Sequence, residues 1–382
     1  MRWASAIATP SRLEDAIDEA AENILATLGE QPDLVLVFVS GTHSDHYASL
    51  PTSLRTWFPN ATSFGCCAGG VIGSEREVEG QDAVTLMAAV LPGVNIHSFH
   101  LGKDPEQWPV SIGVDPDDAP EFVVLTDPFT CDPAVLVPWL DAAYPDSTKI
   151  GGIASGCYTA GECVLLQDGE LHRTGAIGLA LSGNIEIDTI VAQGCKPVGS
   201  PMFITRAKGQ VLYELDGQSA VVTLEKLLST LDDDDRSLAR NSLFLGMVMH
   251  DERQVYEHGD FLIRQIVGVD PEMQAIAVGG DVREGSIAQF HLRDAHTSAA
   301  DLKELFSKHQ YGKPEGALLF SCMGRGEGLY GEPNHDTKLF HSQMGGVPMS
   351  GFFSNGEIGP VQGQTFLHSY TSAFGLLRPK HR

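Results

Sequence analysis

The chain has 382 residues, enough for two domains that each bury a core, and its composition is ordinary for a globular protein, with 42% hydrophobic and 20% charged residues. Its charge is not ordinary: 25 Lys and Arg stand against 50 Asp and Glu, a formal net charge of −25. An acidic surface of this size repels nucleic-acid phosphates and anionic lipid, so the expected partners are neither nucleic acid nor membrane.

At the N-terminus the apolar spacing predicts an amphipathic helix from Ser11 to Leu28, with Ser11 as N-cap and Glu14 as its capping-box partner. A secretion signal would show an uninterrupted apolar stretch there. No apolar run reaches the ~20 residues that span a bilayer. The expected location is cytoplasmic.

The Val-rich run "DLVLVFVS" (33–40) reads as a strand, followed by the loop "GTHSDHYASLP", a helix over 51–58, a glycine turn over 65–73, and strands near 83–91 and 94–101. After a Pro- and Asp-rich loop the layout recurs: the strand "EFVVLTD" from Glu121, the helical "PAVLVPWLDAAY", "KIGGIASG", and a strand ending at Gly183. Strands near 202–206 and 211–215 precede a helix over 217–230. Further strands are expected near 243–249, 261–266, 275–279 and 287–293, then a helix over 297–308. The layout appears again from Gly316, through "CMGRGEG" and a helical stretch, to "GFFSNGEIGPVQGQTFLHSYTSAFGLLR" (351–378). A fourth, poorer echo spans Asn241–Asp294. Self-similarity in fixed order indicates stacked supersecondary units. The expected class is α/β (α+β), with repeated strand–helix–hairpin units and mixed, largely antiparallel sheets in two domains. The divisions are an N-terminal helix over 1–30, one domain over 31–217 and a second over 218–382.

The seven cysteines (Cys66, Cys67, Cys131, Cys157, Cys163, Cys195 and Cys322) form an odd set without a C-x-x-C pair, which argues against a zinc ribbon and a disulfide framework. His43, Asp45 and His46 lie together in "THSDH", but no further pair has metal-ligand spacing, and no metal is expected. His97 and His100 face opposite sides of a strand. The run Asp232–Asp235 lacks the glycine and closing glutamate of a calcium loop and reads as solvated. Walker loops, a G-x-S-x-G elbow, H-E-x-x-H and the haem-attachment C-x-x-C-H are absent.

The strongest local signals are the glycine turns and "FSCMGRGEG". Positive φ angles at Gly356 and Gly359 would aim successive N–H groups at an anion, with Glu357 beside them for an ammonium and Arg325 facing for a carboxylate. Together these suit an amino acid or related zwitterion. Cys322 precedes Gly324, Arg325 and Gly326, a placement that would suit a reactive thiol. Cys66 and Cys67 occupy the matching turn of the first copy, one facing the core and one the turn.

"SFGCCAGGVIG", "FSCMGRG" and above all "GFFSNGEIGP" followed by "FLHSYTSAFGLLRP" resemble the FIST family, an N and C domain pair, over about residues 31–378. The resemblance implies a stand-alone sensory module for amino acids or similar metabolites, acting in signal transduction through a separate partner. Some relatives resemble haem-bound nitric-oxide sensors that regulate a histidine kinase, and eukaryotic relatives pair the C domain with an F-box. Position by position, the family elements fall on Cys322, Arg325, Gly326, Asn355, Gly356, Glu357 and His368. The ligand-binding set is those residues without His368, joined by Cys66 and Gly69 of the first copy. His368 enters only if haem is bound; otherwise no cofactor is expected. The expected function is ligand binding, not catalysis. Its alternatives are a haem-containing nitric-oxide sensor and, last, an enzyme with Cys322 as nucleophile.

Overall fold

The computed structural model describes residues 1–250, 255–309 and 312–380. The chain folds as two compact units with mixed and antiparallel sheets, an α+β protein. The first unit comprises Met1–Val191, Leu305–Leu367 and the chain from Thr371; the second comprises Ala192–Glu304 with His368–Tyr370.

Three copies of one motif build the first unit. Copy one begins with β1 (Arg2–Ala8), a strand not expected from the residue pattern, and α1 (Leu13–Leu28). The helix buries Leu13, Ala16, Ile17, Ala20, Ala21, Ile24 and Leu28, one stripe at helical spacing. Its N-cap position is Arg12, and no side chain caps it. Ser11, expected in that role, stands one residue too early for its oxygen to serve the first turn. The copy continues through β2 (Leu34–Ser40), α2 (Leu50–Trp57), β3 (Thr62–Ala68), the hairpin β4 (Gly70–Ile72) and β5 (Glu77–Glu79), then β6 (Val84–Val90) and β7 (Val94–Leu101). Copy two, preceded by the short α3 (Trp108–Ile112), has β8 (Glu121–Thr126), α4 (Pro133–Ala143), β9 (Lys149–Ile153), the hairpin β10 (Leu165–Gln167) and β11 (Glu170–His172), β12 (Ala176–Gly183) and β13 (Glu186–Gln193).

The second unit is a different object. Its seven-stranded sheet has the order β14-β20-β17-β18-β19-β15-β16, formed by β14 (Cys195–Lys208), β15 (Val211–Leu215), β16 (Gln218–Ser219), β17 (Leu243–Val248), β18 (Phe261–Asp270), β19 (Ala275–Val278) and β20 (Ile287–Arg293). Pairing in it is antiparallel throughout. The echo proposed for Asn241–Asp294 is therefore no fourth copy, because it lacks the parallel strand pair that defines the others. Two helices, α5 (Ala220–Thr230) and α6 (Asp233–Ser242), belong to this unit. The acidic run is the start of α6 and not a loop: Asp232 caps it by accepting from the Asp235 N–H at 2.8 Å, and carboxylates in the first turn suit the helix dipole. The division drawn near Gln218 falls inside this unit, where β15 pairs with β16.

After α7 (Ala295–Lys308), copy three returns to the first unit with β21 (Gly316–Cys322), α8 (Glu327–Tyr330), α9 (His335–Met344), β22 (Met349–Ser354), the hairpin β23 (Glu357–Val361) and β24 (Gln364–His368), and β25 (Thr371–Arg378).

Each copy centres on a parallel strand pair, β2 with β3, β8 with β9, and β21 with β22. One glycine fixes the same register in all three: Gly65 lies opposite Val37, Gly151 opposite Val124 and Gly351 opposite Leu319. A Cβ at any of them would collide with the carbonyl oxygen of that opposite residue, so these are close-approach glycines within strands. The expected turn over 65–73 was a misreading of this role, since Gly65 is in β3 and Gly70 in β4.

The copies interlock in a ring. The hairpin of copy one pairs with the sheet of copy three (Ile72 opposite Gly351), that of copy three with copy two (Ile358 opposite Gly151), and that of copy two with copy one (Leu166 opposite Gly65). Each sheet thus gains strands on the side its own copy leaves open. Aromatic packing joins copies too: the Phe38 and Phe352 ring centres are 4.9 Å apart and those of Phe38 and Phe320 6.4 Å. Each such ring, fully buried, contributes about 1.5–3 kcal/mol.

Candidate functional site

Parallel pairs place loops at the carboxyl ends of their strands, where ligand sites form in α/β proteins. At the end of copy three, Cys322 of β21 lies opposite Ser354 of β22, and Ser321 opposite Ser372 of β25. These strand ends gather a buried polar network around Arg325, the largest fully buried side chain among the described residues, with 1% of its surface exposed.

Asp336, in the first turn of α9, holds Arg325 at two points, accepting from Nε at 3.2 Å and Nη2 at 3.4 Å. Nη2 also donates to the Tyr330 hydroxyl at 2.6 Å. Asp336 further accepts from the Ser372 hydroxyl at 2.6 Å and His335 Nδ1 at 2.9 Å. Burial disfavours its charge, but Arg325 and these donors overcome that and hold the carboxyl well below the usual range. Arg325 Nη1 is buried without a hydrogen-bond partner among the described residues.

Glu357 is fully buried, neither solvated nor open to an ammonium as the sequence suggested. Its Oε1 accepts from the Ser354 hydroxyl at 2.7 Å, and its Oε2 from the Thr371 hydroxyl at 2.7 Å and the Thr371 N–H at 3.3 Å. Burial pushes its pKa up to about 7 despite these donors and the nearby Arg325. The backbone nest expected around it does not form. Neither Gly356 nor Gly359 is among the glycines with positive φ, and Gly359 lies within β23. Gly356 instead uses its carbonyl to accept from the Ile153 N–H at 2.9 Å.

Copy one completes the network through its hairpin. Glu77 accepts from the Thr337 N–H at 2.8 Å, so a carboxylate from another copy occupies the start of α9. Burial and the Asp336 charge push Glu77 up to about 7. Asp336, paired with Arg325, is the ionised member of this carboxyl pair. Glu79 accepts from the Glu327 N–H at 2.9 Å.

Of the residues chosen from sequence, Cys322, Arg325, Gly326, Asn355, Gly356 and Glu357 come together at this strand end. Cys322 is partly exposed, and its Sγ accepts from the Gly324 N–H at 3.4 Å. Gly326 adopts φ +64 and leads into α8. Asn355 donates through Nδ2 to the Ala154 carbonyl at 3.0 Å. Gly69 joins them, because the Met323 side chain lies where its Cβ would be. Cys66 does not: it is buried in the core of β3. Its neighbour Cys67 is buried as well, so neither faces an open turn. His368 is buried and clusters with the second unit. Sequence reasoning missed Asp336, Thr371, Ser372 and Glu77. Asp336 beginning a helix and the Ser/Thr run "SYTS" opening a strand were the available signals.

Cys157 and Cys163 are joined by a disulfide, contrary to the expectation from the cysteine set. Sequence spacing missed the pair because the loop that folds the two together is shaped by contacts with β3. His43 is buried while Asp45 and His46 are exposed, so that group does not converge. Elsewhere in the unit, a cavity of about 320 Å³ opens at the starts of β2 and β3, lined in part by Val35, Arg55, Phe58, Thr62, Ser63 and Asp168.

Three copies that exchange hairpins, with a buried charged network at one strand end, define a scaffold in which no copy completes its own sheet. The FIST N domain family matches residues 33–218 and the FIST C domain family residues 220–360. The chain belongs to the FIST family, whose domains are associated with signal transduction and small-ligand sensing. It is 31% identical over 381 residues to an uncharacterised protein of Mycobacterium tuberculosis, covering 98% of this chain and 99% of the relative. It is 29% identical over 374 residues to an uncharacterised protein of Mycobacterium bovis, covering 96% of each. An F-box/LRR-repeat protein of Arabidopsis thaliana is 25% identical over 187 residues, 41% of this chain and 35% of that one. No helix among the described residues is long and apolar enough to cross a membrane.

Proposed function

We propose that the chain binds an amino acid or related polar metabolite through the ligand's carboxylate at the end of copy three, and passes the signal to a separate partner protein. The observation that supports this reading is the uncommitted Nη1 of Arg325, a buried cationic donor whose direction is set by the contacts of its other nitrogens with Asp336 and Tyr330. A preoriented guanidinium N–H in low dielectric favours a carboxylate oxygen strongly. Glu357, whose pKa burial raises to about 7, is mostly protonated below that pH and so repels such a ligand less than an ordinary carboxylate would. Reaching Nη1 requires the loop between Met323 and Gly331 to move. Its flanking glycines, Gly326 at φ +64 and Gly331 at φ +71, take conformations that other residues rarely adopt.

The test is a thermal-shift screen of the purified chain against amino acids and small carboxylates, repeated with Arg325→Lys and Arg55→Ala. Stabilisation by one compound that disappears in Arg325→Lys and persists in Arg55→Ala supports the assignment. Loss in Arg55→Ala alone moves the ligand to the cavity at the opposite strand ends. A Soret band in the purified protein that vanishes in His368→Ala would replace this reading with a haem sensor.

A further inference from the structure

A second strand end carries different chemistry. Aligned on Gly65, Gly151 and Gly351, the position of Glu357 in copy three is occupied by Cys157 in copy two. The loop from Ala154 to Val164 carries Cys157 and Cys163 onto the end of β3, beside Cys67. The three sulfur atoms lie within 4.8 Å of one another. Cys67 and Cys163 are buried, and Cys157 is partly exposed.

Backbone contacts fix this arrangement. The Cys67 N–H donates to the Val164 carbonyl at 3.0 Å, and the Val164 N–H donates to Cys67 Sγ at 3.2 Å. Gly69 N–H donates to the Ser155 hydroxyl at 2.8 Å. Gly156, at φ +75, packs against the Ala68 carbonyl, where no side chain would fit. Arg173 Nη1 donates to the Gly161 carbonyl at 2.7 Å, and the Glu162 carboxylate accepts from the N–H groups of Tyr158 and Thr159. Asp127 is fully buried and leaves Oδ1 without a hydrogen-bond partner.

We propose that in the reduced protein Cys67, Cys157 and Cys163 bind one thiophilic d¹⁰ metal ion, zinc or copper(I). An ion about 2.3 Å from each of three sulfurs needs them about 3.8–4 Å apart, and the three sulfurs lie within 4.8 Å of one another. Soft thiolates select such ions, and an N–H donated to a sulfur stabilises it as a ligand. A dithiol reductant cleaves the Cys157–Cys163 bond with two electrons and becomes a disulfide itself; the metal then replaces the protons of the three thiols. Oxidation closes the site.

The full-length chain, reduced and handled anaerobically, should bind one cobalt(II) ion with a thiolate-to-metal charge-transfer band, and zinc should displace it. Copper(I) titrated against a chromophoric chelator separates the two ions: binding of copper(I) without a cobalt band assigns a three-coordinate copper site. Cys67→Ser and Cys157→Ser should each lose more than the ~10–100-fold in affinity typical of removing an outer-shell partner, whereas Cys66→Ser should bind as the parent does. The oxidised protein should not bind. If Cys67→Ser fails to fold, Cys157→Ser, at the more exposed position, decides alone. No stoichiometric binding by the reduced parent, or equal binding by Cys157→Ser, overturns the proposal.

Discussion

Equivalent strand ends of one repeat carry opposite chemistry. Copy three closes with an ionised Arg325–Asp336 pair and a near-neutral Glu357, every oxygen of which accepts hydrogen bonds. Copies one and two close with thiols and a disulfide. The parallel pair and its glycine are common to both, so the scaffold supplies position and the side chains supply chemistry. Site identity therefore does not follow from the repeat.

The glycines test the shared half of this comparison, and they should show the largest effect. Gly351→Ala drives a methyl into the Leu319 carbonyl and should cost at least about 4 kcal/mol, or prevent folding, with Gly65→Ala and Gly151→Ala similar. Gly328→Ala, with nothing near its added carbon, should stay within about 0.5 kcal/mol in the same urea titration. Equal tolerance at all four positions would end the argument for a common register.

Asp336→Ala tests the chemistry specific to copy three. It strands the Arg325 charge in the interior and should cost about 3–5 kcal/mol, read as a drop in the denaturation midpoint. A loss below about 1 kcal/mol would show that water already reaches Arg325.

Glu357 sharpens the comparison by pH. Its folded pKa of about 7 lies above the ordinary 4.5, so the folded state keeps its proton while the unfolded state has lost it. Stability from this group is greatest below the ordinary value, falls as pH rises towards about 7, and is flat above. Glu357→Gln removes that slope. Its stability relative to the parent should improve by up to about 3 kcal/mol between about pH 5 and pH 8. A difference independent of pH would mean that the carboxyl is ionised throughout. Glu77 contributes a slope of the same sign, so the parent's dependence should persist in part in the variant.

The smallest effect belongs to the second unit, which shares neither the repeat nor its strand ends. Ser219 accepts from the Val222 N–H at 3.3 Å at the start of α5, and Ser219→Ala should cost about 1 kcal/mol. The pH slope and any ligand shift of the first unit should be unchanged. A change in either would couple the capping bond to the strand-end network.

Much of this was legible in the amino-acid order. The buried runs of β2, β8 and β21 announce themselves because strands covered on both faces become continuous apolar stretches. The helices α1 and α5 follow from 3.6-residue spacing, and the family from the terminal motif. Gly65 was visible but was given a turn role, since a glycine needed for close approach looks the same as one needed for positive φ. The burial of Glu357 was hidden for a similar reason. A glutamate between glycines suggests a solvated turn until Ser354 and Thr371 are known to surround it.

The sequence by itself determined where most of the strands and helices lie, that the layout repeats, and that Arg325 and Glu357 belong near one another, because periodicity, turn chemistry and motif spacing are local properties. Only the tertiary structure decided which sheet each hairpin joins, that Asp336 engages Arg325, and that Cys67 meets Cys157 and Cys163. Those outcomes depend on pairings between residues tens to hundreds of positions apart, for which local preference carries no information, and on the low dielectric that burial alone creates.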